Sequence, residues 1–196
     1  MKSDIIAVSS RGQGIDAALA LADSTAEQLA LGHREALHLR LLVEEMMSMM
    51  RSIIGGLEGQ FWIETEGDMC RLVLKAKSLM DTEQRKQLIS AASSGKNKAH
   101  QGFMGKLRAF FEPLPLTESP AYLEDTYLPE EHREDLIWSL EAYKARLAKR
   151  RESSDGDQEA WDELEKSVVT HIADNVEVSI HGYDVELAIL KRLNRA

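Results

Sequence analysis

The chain has 196 residues, 43% of them hydrophobic and 29% charged, a globular composition that excludes a disordered chain. Lys and Arg number 24 against 33 Asp and Glu, and the net charge of −9 argues against general binding to nucleic acid or an anionic membrane. Cys70 is the only cysteine, so neither an intramolecular disulfide nor a cysteine-based zinc site can form, and no apolar run approaches the ~18 residues of a membrane span. These features predict one cytoplasmic domain over 1–196, without a signal peptide.

Ile5 to Ser10 reads as a short strand closed by Arg11-Gly12-Gln13-Gly14. From Ile15 the apolar positions Leu19, Ala22, Ala26 and Leu29 keep helical spacing, and Gly32 is placed to end that helix. A second helix is expected from about Glu35 to Ile54, apolar around most of its circumference and therefore covered on several sides. Gln60 to Glu66 and Cys70 to Ser78 alternate around a turn at Gly67-Asp68, and so form a hairpin with one buried and one wet face. A helix from about Gln158 to Ala173, with Trp161, Leu164, Val168 and Ile172 on its stripe, precedes a last hairpin, Asn175–His181 and Val185–Lys191. Asp81 to Asp157 reads as an insertion with three helical pieces, the third carrying the stripe Leu136, Leu140, Tyr143 and Leu147. The core then comprises 5–80 and 158–193, with the insertion over 81–157.

The order of the core elements, and the helix text Leu39-Arg40-Leu41-Leu42-Val43-Glu44-Glu45-Met46-Met47-Ser48-Met49, resemble the GHKL (Bergerat-fold) ATPase superfamily, above all its anti-sigma serine kinases. Val43 and Glu45 fall in register with that family's second helix. The resemblance implies an α/β (α+β) sandwich of the histidine kinase-like ATPase type: one mixed, mostly antiparallel sheet with helices on one face, and the helical insertion in place of the ATP lid.

The resemblance also assigns roles. Glu45 takes the place of a base that activates water or a hydroxyl, while Met49 stands where the family has a magnesium-binding asparagine. Ser78 and Met80 occupy the places of the adenine-binding aspartate and its following glycine, and Ser52 lies one turn beyond Met49 in the same relict nucleotide pocket. A thioether is a poor ligand for a hard cation. Losing a charged adenine contact alone costs roughly 1.5–3 kcal/mol. The expectation is therefore a regulatory, anti-sigma-like protein without phosphotransfer and without a bound cofactor. Mg-ATP enters only on the alternative that the insertion supplies unorthodox contacts. A small-ligand module is the third reading, and Glu45 has the plainer alternative of a solvated glutamate.

The six histidines show no ligand spacing, so no metal is expected. Met46, Met47, Met49 and Met50 read as core filling rather than as a groove. From Gln84 to Phe111 the chain carries Arg85, Lys86, Lys96, Lys98, Lys106 and Arg108 and no acid. That basic stretch predicts an anionic ligand or acidic protein partner across Lys96, Asn97, Lys98, Lys106 and Arg108, against the plainer reading of a solvated surface. A homodimer is left open.

Overall fold

The computed structural model describes residues 1–53, 57–77, 107–108, 111, 136–150, 161–162, 164–181 and 184–194. They form β1 (Ile6–Ser9), α1 (Ile15–Gln28), α2 (His33–Arg51), β2 (Glu58–Glu66), β3 (Met69–Lys77), β4 (Leu136–Ser139), α3 (Leu140–Arg150), α4 (Val168–Ile172), β5 (Asn175–His181) and β6 (Asp184–Arg192). The strands make one six-stranded sheet in the order β1-β2-β3-β6-β5-β4. All five strands expected from the sequence lie in it. The expected mixed sheet is corrected, since every pairing among the described residues is antiparallel. Between β1 and β2 the reason is connectivity: two helices, one out and one back, return the chain to the end it left, whereas a single crossover helix gives parallel neighbours.

One buried cluster takes side chains from the four helices and from one face of the sheet. Alternation assigns that inner face. Phe61 and Ile63 of β2, Cys70, Leu72, Leu74 and Ala76 of β3, and Val185, Leu187 and Ile189 of β6 all point into it. On α2, Leu39, Leu42, Val43, Met46, Met47, Met49 and Met50 are all buried, so the methionines fill the core as expected. Each fully buried side chain of this size contributes roughly 1.5–3 kcal/mol. The small residues Ala18, Ala22 and Ala26 give α1 its contact stripe, and Arg40 of α2 pairs with Asp23 of α1 at the exposed seam.

Several boundaries differ from the sequence reading. Helix α1 ends at Gln28, and Ala30, at φ 48°, makes the turn expected of Gly32. The Leu31 N–H donates to Ala26 O and the Ala30 N–H to Glu27 O, the paired bonds of a Schellman close. Gly32 instead precedes α2 in extended conformation, so α2 begins at His33. Gly14, at the start of α1, has no such freedom. It sits at φ +76°, and a Cβ there would fall 1.9 Å from the Ala7 carbonyl oxygen.

Leu136, read as the first position of a helical stripe, belongs to β4, which pairs with β5 from Leu136↔Ile180 to Ser139↔Glu177. The β-branched and aromatic Ile137-Trp138 suit a strand, and the helix waits for Ser139, whose hydroxyl accepts the Ala142 N–H. Residues 136–150 thereby add a sixth strand, and Leu140, Tyr143 and Leu147 of α3, to the same core. The helix expected over 158–173 is interrupted at Ser167, which is extended. The helix resumes at Val168, and the break shifts the register so that Val169 is buried while Val168 is exposed.

Ala30 holds a left-handed conformation that costs a residue with a Cβ about 1–2 kcal/mol. After allowance for unfolded-state entropy, Ala30→Gly is expected to stabilise the protein by ~0.5–1 kcal/mol. Urea denaturation checks it, as a higher midpoint with an unchanged slope.

Candidate functional site

Glu45 and Met49 sit one turn apart on α2, yet their surroundings differ. Met49 is 3% exposed and belongs to the core cluster. Glu45 is half-buried and makes no hydrogen bond or ion pair among the described residues. Arg40 marks the flank of α2 that faces α1; Glu45 and His38 lie roughly 140–160° around the helix from it, on the far flank. Ser52 closes the helix, its Oγ donating to Met49 O at 2.6 Å. A buried thioether beside a lone carboxylate supplies no oxygen cage, so Glu45 and Met49 do not fit a magnesium nucleotide. Arg108 is half-buried beside the buried Leu107 and Phe111. Ser78, Met80, Lys96, Asn97, Lys98 and Lys106 lie outside the described residues.

The structure brings together a polar group that the sequence reading missed. Thr65 of β2, Cys70 of β3 and Lys191 of β6 stand in register across three strands on the inner face. Glu35, in the first turn of α2, faces the lysine of this row. Lys191 Nζ lies 3.6 Å from Glu35 Oε2, and His38 Nδ1 lies 3.8 Å from Glu35 Oε1. Glu35 is 8% and Lys191 9% exposed, and neither Glu35 Oε2 nor His38 Nδ1 makes a hydrogen bond. The carboxylate is held by charge and by the positive end of α2 rather than by donors. Lys191 was legible as an anomaly, because it continues the inward alternation of Val185, Leu187 and Ile189 with a charge. Burial pushes the Cys70 thiol from the ordinary 9.0 up to about 12, so it is no nucleophile near neutral pH.

The opposite face of the sheet carries no helix among the described residues. There Arg71 reaches Glu64 at 3.3 Å and Glu186 at 2.7 Å, and Lys2 lies 4.2 Å over the Trp62 ring. These long side chains lie across Trp62, Val73 and Ala188, which are buried although none of the described helices covers them. Burial by itself would raise the Glu64 carboxyl, but hydrogen bonds from Trp62, Arg71 and Lys2 outweigh it and hold the group below the ordinary range. Among the described residues no three His, Cys, Asp or Glu are grouped to hold a metal, and no helix is long and apolar enough to cross a membrane.

Two outcomes follow from the buried polar group. Lys191→Met leaves Glu35 buried without its cation and is expected to cost about 3 kcal/mol, whereas Glu35→Leu with Lys191→Met recovers most of that loss. A denaturation-based double-mutant cycle reads both, and a near-zero coupling would refute a desolvated pair. The Cys70 thiol is the more protonated in the folded state. Stability from this group is therefore complete below pH 9.0 and declines as pH rises toward about 12. Cys70→Ala is expected to flatten that part of the stability–pH curve relative to wild type, measured by urea melts at stepped alkaline pH.

No family model, curated protein or solved structure matches this chain.

Proposed function

We propose that this chain is a regulatory, partner-binding domain built on the histidine kinase-like ATPase scaffold that its second helix resembles, working in the cytoplasm without phosphotransfer. The observation that carries the reading is the burial of Met49 in the core, next to a Glu45 that stays on a half-exposed flank. On that scaffold the corresponding polar side chain would reach outward to a metal; here the position is hydrocarbon and sulfur packed against the sheet. The all-on-one-face arrangement of α1, α2, α3 and α4 agrees with the scaffold as well. The partner in this reading is an acidic protein segment or anionic ligand, held by Lys96, Asn97, Lys98, Lys106 and Arg108. Charged contacts of that kind act chiefly on encounter rate and specificity and weaken with salt.

Mg-ATP is expected to bind no tighter than about 1 mM, near −4 kcal/mol. Calorimetry on the full chain measures this. A micromolar constant that vanishes in Glu45→Ala would replace the regulatory reading with a working ATPase or kinase.

A further inference from the structure

At the end of β2 and β3 away from Lys191, on the face that carries no helix among the described residues, those residues line an open cavity of about 640 Å³. A volume of this size suits a small organic ligand. One wall is β1 together with Gln13 of the turn after it. There Ser9 is 5% exposed; its Oγ accepts the Gln13 N–H at 3.4 Å, and no acceptor for its own proton is found among the described residues. The other walls are charged. Lys75 is engaged by Asp184 at 3.3 Å. Lys77 and Glu58, by contrast, line the cavity with no ion-pair partner among the described residues, and the side-chain amide of Gln60, the next residue on that face of β2, makes no hydrogen bond there. Strand register explains the grouping: Ser9 pairs with Glu58 and Lys77 with Asp184, while Ala7 and Lys75 both pair with Gln60, all on one face.

An unpaired ammonium, an unpaired carboxylate, a carboxamide and a buried hydroxyl proton share one concave space. The lining is balanced, two lysines against two acids, so a polyphosphate would meet Glu58 and Asp184 as well as the lysines. A ligand bearing both charges meets neither penalty. We propose that this cavity binds a small zwitterion of amino-acid to dipeptide size, with its carboxylate on Lys77 and its ammonium on Glu58. The Gln60 amide and the Ser9 hydroxyl then serve a polar group of the ligand. This site is separate from the flank of α2 that bears Glu45, and nucleotide titration leaves it untouched.

Amide NMR of the full chain, titrated at low salt with the common L-amino acids and with glycyl-L-glutamine, tests the assignment. At least one probe is expected to shift the Ser9, Gln60 and Lys77 signals saturably, and to bind roughly tenfold more weakly in Lys77→Ala and in Glu58→Ala. Both positions are exposed, so spectra of the variants away from the cavity serve as the check of folding. Ser9→Ala is expected to weaken the same probe without abolishing it. The proposal is overturned if no probe gives a saturable shift by about 20 mM. Undiminished binding in both charge variants overturns it too, as does inorganic phosphate shifting the same signals with equal affinity.

Discussion

Helix α2 spreads its buried side chains from Met49 through Leu42 and Met46 around to Met47, close to half of its circumference. No single neighbour can cover an arc that wide. The inner sheet face takes its centre, the alanine stripe of α1 takes one flank, and α4 approaches the other. Once α2 lies on the sheet, most other positions are constrained. The out-and-back pair α1 and α2 makes β2 antiparallel to β1, and the inner alternation of β2, β3, β5 and β6 must keep its apolar residues on that side. A register slip of one residue in β3 would exchange Leu72 and Leu74 for Arg71 and Lys75 beneath the helix.

The same packing explains how charge is distributed. On the inner face a charge survives only with compensation, and Lys191 and Glu35 meet where α2 begins, so that the helix end assists the carboxylate. On the outer face charge is tolerated freely. Arg71, Glu64, Glu186 and Lys2 form a mesh whose aliphatic stems shelter Trp62, Val73 and Ala188. Such a surface also discourages stacking of one sheet on another, because burying it would desolvate several ions at once.

The two candidate regions lie in these different environments. The flank of α2 that bears Glu45 is backed by the buried Met49, whose thioether is a poor ligand for a hard cation. The end of β2 and β3 has the reverse character: wet, polar and balanced in charge, with its hydrogen-bonding groups held on strands rather than on loops. The sheet beneath both is held in register by ladders of eight and nine residue pairs on the two sides of β3.

The hairpins β2–β3 and β5–β6 and the helices α1 and α2 were legible in the sequence because their signals are local: alternation by two, periodicity near 3.6, and a turn at Gly67-Asp68. The inward lysine at 191 was visible as a break in alternation, although nothing local named its partner 156 positions earlier in the chain at Glu35. Other features were decided in three dimensions. Ala30 rather than Gly32 closes α1, since the docking of α2 fixes where the chain must turn and outweighs the preference for glycine. Leu136 joins a strand because β5 had an open edge to pair, and Ser167 breaks a helix because Val169, not Val168, reaches the core. The sequence by itself determined which residues seek the interior and with what period. Which neighbours they find, which charges are thereby buried together and which walls enclose a cavity are properties of long-range pairing, and only the tertiary structure decided them.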